Sequence, residues 1–159
     1  MVMNKKEELV INFRDIYNKM TWLNAPQMKD ERFEDYKSSE IHCIEHIGKN
    51  EDPNVTQLAE FFYMTRGAIS KMTKKLIKKG AVESYQKPNN KKEVYFRLTE
   101  QGQIIHKVHE EMHKEFDERD KVIFDHITEE QFDIILEFME KYSKHLDTEI
   151  KKLGIDIKS

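Results

Sequence analysis

A chain of 159 residues with 38% hydrophobic and 36% charged side chains, five glycines and three prolines fits one or two compact domains and excludes collagen-like or low-complexity sequences. Its single cysteine, Cys43, excludes an internal disulfide and a multi-thiolate zinc site, and the lack of a membrane-spanning run or an apolar signal-peptide core predicts a soluble, cytoplasmic protein. The net charge is −3, but residues 54–99 hold ten basic and three acidic side chains, and such a basic middle in an acidic frame predicts a polyanion-binding segment.

The first predicted element is a helix over residues 5–23, in which apolar side chains recur close to the 3.6-residue period of a helix. These side chains are Leu9, Phe13, Ile16, Tyr17 and Met20. Residues 24–36 are rich in charge and predict a loop or a short helix. Ser38 then provides an N-cap for a helix over residues 39–49, and Pro53 lies in the turn that follows this helix.

Two short helices are predicted next, over residues 55–62 and 66–79, with a brief turn between them. Beyond them, β-forming side chains at residues 81–86 and 93–98 flank a predicted turn at residues 87–92, where the sequence is K-P-N-N-K-K. The pattern therefore predicts a β-hairpin with a basic tip.

Two long helices are predicted after the hairpin. Thr99 is the N-cap of a helix that reaches residue 124, and Thr128 forms a capping box with Gln131 at the start of a helix that reaches residue 153. The last helix carries an apolar stripe of Phe132, Ile135, Leu136, Met139 and Tyr142. This stripe is larger than a lone terminal helix needs for docking, so the sequence allows a homodimer.

The order of helix, turn, helix and basic hairpin predicts a winged helix-turn-helix. The expected fold class is mainly α with a small β-hairpin wing (α+β), in which a helical dimerisation platform carries the winged domain. We assign residues 38–99 to the winged helix-turn-helix domain, preceded by a helix and loop at residues 1–37 and followed by two long helices within residues 100–159.

The second helix of the pair has the chemistry of a DNA-recognition helix. Ile69, Met72 and Leu76 form a narrow apolar stripe, and basic side chains fall on the opposite face. Short polar groups and a guanidinium near its N-terminus suit base edges, whereas the lysines further along, up to Lys79, suit phosphates. The predicted DNA contacts are Thr56, Thr65, Arg66, Gly67, Ser70, Lys71, Lys74, Lys75, Lys87, Asn90, Lys91 and Lys92. The alternative is a lysine-rich helix that is merely solvated.

The chain resembles the multiple antibiotic resistance regulator (MarR) family of winged-helix transcription factors. The resemblance rests on S-S-E-I-H-C-I-E-H-I-G at residues 38–48, N-V-T-Q-L-A at 54–59, T-R-G-A-I-S-K-M-T-K-K-L-I-K-K-G at 65–80 and F-R-L-T-E-Q-G at 96–102. One departure lies in the wing, where the family's D-x-R is replaced by N-K-K at residues 90–92. Lysine acts there as a point charge and does not reproduce the bidentate contacts of arginine.

The resemblance to the MarR family implies a transcriptional regulator rather than an enzyme, and a repressor in particular. It also implies a homodimer that binds double-stranded DNA and is built from the first helix and the last two. Residues 1–37 are then the N-terminal dimerisation helix and loop, and residues 100–159 the C-terminal dimerisation helices. Two-fold symmetry then requires a pseudo-palindromic operator whose half-sites lie about 10 bp apart. A small effector is expected to control binding.

Three histidines, His106, His109 and His113, share one face of the helix that follows the hairpin. The segment H-E-E-M-H at residues 109–113 matches the H-E-x-x-H pattern of zinc peptidases, but such a metal-dependent hydrolase also needs a third ligand and a substrate cleft. Two histidines one turn apart can chelate one ion, so a metal sensor is the favoured interpretation over a peptidase.

Within the MarR family, the chain is similar to the zinc-responsive adhesin-competence repressors at His42, His109 and His113, and this similarity implies that these residues bind zinc. The fourth ligand of those repressors is a glutamate, and this chain has Asn24 at the corresponding distance. Under the competing interpretation, the histidines are ordinary polar residues of a dimer or interdomain contact and pair with acids such as Glu45 or Glu110.

Two further effector modes stay open at this point. A small aromatic acid or a drug-like anion is the commoner effector in the family, and Trp22, Phe13 and Tyr36 could line its pocket, although such residues are more often core. A redox switch at Cys43 is the other mode. The helical pattern around Cys43 predicts that this thiol packs inside, where it would be inert.

Overall fold

Helices dominate the structure, a computed structural model that describes residues 4–25 and 30–154. Within these residues, six α-helices and one two-stranded antiparallel sheet form, which confirms the predicted mainly α fold with a β-hairpin. The chain divides into two units, Met1–Ser38 and Ser39–Ser159. No helix in the described ranges combines the length and the apolar character that crossing a membrane requires.

The first unit contains α1 (Lys5–Asn24), which confirms the first predicted helix to within one residue. Asn4 and Glu7 form a reciprocal capping box, in which the Glu7 backbone N–H donates to the Asn4 side chain at 2.9 Å. No residue of α1 is buried in this single chain, and Tyr17 and Trp22 are 70% and 83% exposed. The apolar stripe of α1 therefore contributes no buried side chain to a core of the single chain.

The segment after α1 forms a short 3-10 helix at Glu31–Phe33. Asp30 caps it, since its carboxylate accepts the Arg32 backbone N–H at 2.9 Å. The structure thus has a short helix where the sequence predicted a loop or a short helix. Residues 26–29, with Pro26, lie outside the described residues.

The second unit contains the remaining helices and the hairpin, with α2 beginning at the boundary residue Ser38. The elements are α2 (Ser38–Lys49), α3 (Val55–Phe62), α4 (Arg66–Lys78), β1 (Val82–Lys87), β2 (Asn90–Leu98), α5 (Glu100–Phe124) and α6 (Glu129–Lys152). All five helices agree with the predicted bounds to within one residue. The predicted caps Thr99 and Thr128 are confirmed, because each accepts a backbone N–H from the first turn of its helix.

The hairpin differs from its prediction in the length of the turn. Lys87 pairs with Asn90, so the turn holds only the two residues between them, and the predicted six-residue turn at 87–92 is wrong. Asn90 Oδ1 accepts the backbone N–H groups of Lys92 and Glu93, both at 3.2 Å, and Gln86 Nε2 donates to the Lys91 carbonyl at 2.7 Å. The strands therefore continue to Lys87 and Asn90, and side-chain hydrogen bonds accompany them there. The alternation of apolar and polar residues that marks a strand is missing from this tip.

The core of the second unit lies where α2, α4, α5 and the base of the hairpin meet. Its largest apolar contributions are Ile41, Ile44, Leu58, Ile69, Leu76, Val82, Phe96 and Ile105. Two glycines permit the close approach. A Cβ on Gly102 would lie 2.0 Å from the Ala81 carbonyl oxygen, and a Cβ on Gly48 would lie 2.9 Å from the His106 ring. The first turns of α5 can thereby approach both Ala81, just before β1, and the last turn of α2.

Candidate nucleic-acid interface and histidine cluster

The helix α4 buries one face and exposes the other. Ile69 and Leu76 are fully buried and Met72 nearly so, which confirms the apolar stripe predicted from the sequence. Thr73 is also buried, and its hydroxyl donates to the Ile69 carbonyl at 3.0 Å. At the start of the helix, Thr65 accepts the Ala68 backbone N–H at 3.2 Å. The buried face fixes α4 on the domain and leaves the opposite face in solvent.

The exposed face of α4 is a row of cations that have no acidic partner. Within the described part of the chain, none of the five side chains of this row forms an ion pair, and all are exposed. These side chains are Arg66, Lys71, Lys74, Lys75 and Lys78. A row of unpaired cations on a rigid helix is suited to a polyanion, because no intramolecular salt bridge has to be broken when it binds.

Lys79, one residue past α4, has a different environment. Its ammonium lies 2.7 Å from a carboxylate oxygen of Glu40, whose side chain is only 4% exposed. This pair joins the end of α4 to the start of α2. Lys79 is therefore engaged inside the domain, whereas its neighbour Lys78 is not.

The smaller predicted contact residues lie near the N-terminal end of α4 and on the neighbouring helix α3. Gly67 is exposed, and a Cβ built on it would meet no heavy atom of the described residues within 4 Å. Ser70 is half-buried on α4, and Thr56 is half-buried on the first turn of α3. The space in front of Gly67 is open, so a partner can approach the α4 backbone closely there.

The wing contributes further cations, but they are not equivalent. Lys91 and Lys92 are exposed and form no ion pair among the described residues. Lys87 instead pairs with Asp52, which lies in the turn between α2 and α3, and its ammonium lies 4.7 Å from the centre of the Tyr95 ring. Sequence reasoning missed Asp52, because no local pattern indicates that this turn reaches the hairpin.

The histidine cluster lies between α2 and α5. One possible ligand atom from each of Glu45, His109 and His113 lies within 4.8 Å of the others. His109 Nδ1 is 3.4 Å from Glu45 Oε2, and the His109 and His113 rings are 4.5 Å apart. His42 is adjacent, with its ring centre 5.5 Å from that of His109. The structure therefore brings two of the three predicted ligands, His109 and His113, together with Glu45, which sequence reasoning had considered only as an ion-pair partner, and places His42 beside this group.

The electrostatics of the histidine cluster favour metal-ligand protonation states. Burial lowers the pKa of His109 to about 4, and this effect outweighs the attraction of its imidazolium to Glu45. Burial opposes ionisation of Glu45, but the hydrogen bond from Lys49, at 2.5 Å, holds the pKa of this carboxyl below its usual value. At neutral pH the pair is thus a neutral imidazole beside a carboxylate, which are the forms that coordinate zinc.

His106, the remaining histidine of the predicted face, packs over Gly48 and lies outside the cluster. Its Nε2 atom is 3.8 Å from Glu110, the acid of the H-E-x-x-H segment. Glu110 therefore approaches His106, whereas Glu45 of α2 is the acid beside His109 and His113.

A cavity of about 280 Å³ adjoins the histidine cluster between α2 and α3. It is lined by His42, Glu45, His46, Lys49, Phe61 and Phe62. The centres of the His46 and Phe61 rings are 3.9 Å apart with their planes tilted by 31°, and burial lowers the pKa of His46. Trp22, which the sequence suggested as a pocket residue, is 83% exposed.

Cys43 is fully buried on α2, as the helical pattern predicted. Burial and, to a smaller extent, the Glu40 carboxylate raise the pKa of its thiol to about 12. The thiol is therefore protonated and shielded, which argues against a redox switch at this position.

Two relatives with curated descriptions match more than half of this chain. It is 40% identical over 93 residues to YhjH, an uncharacterised HTH-type transcriptional regulator of Bacillus subtilis (strain 168), covering 58% of this chain and 53% of that protein. It is 35% identical over 109 residues to the HTH-type transcriptional regulator PchR of the same organism, covering 69% of this chain and 64% of PchR. The chain thus spans less than two thirds of the length of either relative.

Solved structures share the fold over nearly the whole chain. FabT of Streptococcus pneumoniae, solved in complex with DNA, superposes with a TM-score of 0.76 at 24% identity, covering 91% of this chain and 99% of FabT. The adhesin competence repressor AdcR of Streptococcus pyogenes gives a TM-score of 0.65 at 19% identity, covering 87% and 97%. The sequence profile of the MarR family matches residues 37–94, which hold the helix-turn-helix and most of the wing. This profile shows a domain of the MarR family at residues 37–94, and the transcriptional-regulator relatives and the shared fold agree with it.

Proposed function

We propose that the chain binds double-stranded DNA through α4 and the hairpin and thereby regulates transcription. The observation that carries this proposal is the row of exposed cations on α4 that have no acidic partner among the described residues. Arg66, Gly67 and Ser70 are at the end of α4 that suits base edges, with Thr65 at its cap. Lys71, Lys74 and Lys75 follow them along the helix and contact phosphates, as do Lys91 and Lys92 of the wing.

Three more of the predicted contacts complete the proposed interface. Thr56 lies on the first turn of α3, and Asn90 is the first residue of β2 at the wing tip, where its side chain accepts the backbone N–H of Glu93. Lys87 closes β1 beside Asn90 and is included as a phosphate contact that Asp52 restrains. Neighbouring support comes from FabT, whose structure in complex with DNA has the same fold.

We also propose that the working form is a homodimer that represses transcription from a pseudo-palindromic operator in the cytoplasm. The helix α6 has no buried residue in the single chain, and its apolar side chains, from Ile134 to Leu146, are 39–64% exposed. A second copy would cover this surface, so that residues 1–37 and 100–159 form the platform and residues 38–99 carry the DNA contacts. Two α4 helices related by two-fold symmetry would then enter successive major grooves.

Fluorescence anisotropy with a labelled duplex from upstream of the chain's own gene tests the DNA-binding proposal. We expect the affinity to fall steeply with salt concentration, because every neutralised phosphate releases counterions. Arg66→Ala should abolish sequence preference, and Lys74→Gln should reduce the salt slope by about 0.9 for each phosphate contact that is lost. Lys107→Gln, an exposed lysine on α5, is the matched control. If the purified protein ignores every duplex at low salt, the proposal is wrong.

A metal effector is the second part of this proposal, and zinc is the ion that the donor set favours. Glu45, His109 and His113 offer ligand atoms within 4.8 Å of one another, and His42 lies beside them. A carboxylate and neutral imidazoles form a common zinc ligand set. AdcR shares the fold, which adds support without identifying the ion.

Metal analysis of untagged protein purified without chelator tests the metal site. We expect stoichiometric zinc in the unmodified protein and its loss in His113→Ala and Glu45→Gln, with a smaller loss in His42→Ala. His126→Ala, at an exposed histidine beyond α5, is the control. Metal-free protein whose DNA affinity ignores added zinc would exclude a metal effector and favour a small aromatic anion in the adjoining cavity.

A further inference from the structure

The turn between α2 and α3 is fastened to the wing. The Phe96 backbone N–H donates to the Pro53 carbonyl at 3.0 Å, and Asn54 Nδ2 lies 3.4 Å from a carboxylate oxygen of Glu93. Asp52, in the same turn, has a φ of 47°, a left-handed conformation that few residues adopt. The turn therefore holds the Asp52 carboxylate in a fixed place at the side of the hairpin.

The Asp52 carboxylate engages two side chains of β1 at once. One oxygen accepts the hydroxyl of Tyr85, and the other forms an ion pair with the ammonium of Lys87. These interactions hold the pKa of Asp52 below its usual value, the hydrogen bond with Lys87 being the largest cause. Asp52 is thus an anion that already occupies one cation of the proposed DNA-binding surface.

Lys87 is also restrained from its other side. Its ammonium lies 4.7 Å from the centre of the Tyr95 ring, and Tyr95 is the cross-strand partner of Tyr85. The two tyrosine rings are 5.7 Å apart. Carboxylate and aromatic face together hold Lys87 against the flank of the wing, whereas the neighbouring Lys91 and Lys92 are exposed and have no ion pair among the described residues.

We propose that Asp52 competes with a DNA phosphate for Lys87 and so limits the electrostatic grip of the wing. Lys87 then contributes to DNA binding only by leaving Asp52, and the free lysines of the wing supply most of its phosphate contacts. The inference rests on the proposed DNA-binding function. It makes Asp52 a positioning residue that sets how strongly the wing binds any duplex, independently of base sequence.

The variant Asp52→Asn tests this competition with little disturbance. Asparagine tolerates the left-handed conformation and keeps an oxygen that accepts the Tyr85 hydroxyl, but it removes the charge that holds Lys87. We expect non-specific duplex DNA to be bound roughly two- to fivefold more tightly, in line with the strength of an exposed ion pair. The salt slope should become steeper by about 0.9 for each wing that engages DNA.

The matched controls separate competition for Lys87 from the general effect of removing one negative charge near the wing. Glu51→Gln removes the same charge from the adjacent residue, which is exposed and has no ion pair among the described residues, and it should leave the salt slope unchanged. Lys87→Gln alone should alter the slope little. In the Asp52→Asn background, Lys87→Gln should cancel the whole gain, a non-additivity that a purely structural role would not produce.

The outcomes distinguish this inference from the proposed function. If the unmodified protein binds no DNA, the proposed function fails. If it binds DNA but Asp52→Asn matches Glu51→Gln, or Lys87→Gln alone lowers the slope as much as Lys91→Gln, then Asp52 does not compete for Lys87 and the inference is wrong. Thermal unfolding of each variant verifies that the fold is kept, and Lys87→Gln probes the pair from its other end.

Discussion

Lys79 and Glu40 join the end of the proposed recognition helix to the start of α2 through an ion pair of 2.7 Å. Glu40 is almost completely buried, and the ammonium of Lys79 supplies a counter-charge beside it. We expect Lys79→Gln to destabilise the protein by about 1–3 kcal/mol in urea unfolding, because a buried carboxylate would lose its counter-charge. The adjacent, unpaired Lys78 is the control, and Lys78→Gln should leave the midpoint within experimental error.

The substitution Gly67→Ala should affect the stability of the protein and its affinity for DNA in opposite directions. A Cβ at this position meets no described atom within 4 Å, so Gly67→Ala should be neutral or stabilise α4 by up to about 1 kcal/mol. The added methyl group would occupy the space through which we propose DNA approaches, so affinity for a specific duplex should fall. Thermal unfolding and anisotropy measured on the same preparation test both halves. A variant that keeps full affinity would show that the helix does not approach the duplex at this point.

Cys43 should be chemically silent in the native protein. Its thiol is fully buried, and burial raises its pKa to about 12, so almost no thiolate exists at neutral pH. We expect a thiol reagent such as iodoacetamide to leave the native chain unmodified for hours and to alkylate it rapidly in 6 M urea. Mass spectrometry provides the measurement. Fast modification without denaturant would restore the redox interpretation of Cys43.

The exposed stripe on α6 predicts that unfolding depends on protein concentration. If a second copy covers this surface, the melting temperature should rise with concentration, because association stabilises the folded state by mass action. Leu136 is 59% exposed in the single chain, so Leu136→Glu should cost little within one chain yet dissociate the dimer. Light scattering coupled to gel filtration gives the mass of each form. A monomer at all concentrations would contradict the proposed assembly.

The helices were predictable because their signals are local. Apolar residues at helical spacing define the buried faces of α2 and α4, and the capping side chains Thr99 and Thr128 mark the starts of α5 and α6 to the residue. Each of these signals lies within a few residues of the structure that it specifies. The tertiary packing of these helices agrees with the local sequence preferences, so their observed bounds match the predicted ones.

The features that were missed depend on contacts between distant segments. The hairpin turn holds only two residues because Lys87 pairs with Asn90, and the polar residues around it give no hydrophobic pattern from which this length could be predicted. Asp52 reaches Lys87 across 35 positions of sequence, and Glu45 joins the histidine cluster because the fold brings side chains of α2 and α5 together. Spacing along one helix identifies His109 and His113 but not the acid that faces them.

A consequence follows from the position of α2 in the second unit. This one stiff rod is tied by Glu40 to the end of α4, carries Glu45 into the histidine cluster, and stops three residues before Asp52 at the flank of the wing. An ion that drew Glu45 towards His109 would therefore act on a helix that contacts the end of α4 through Glu40 and leads, at its other end, to Asp52 beside the wing. In this arrangement, α2 is the element that would couple the proposed metal site to α4 and to the wing.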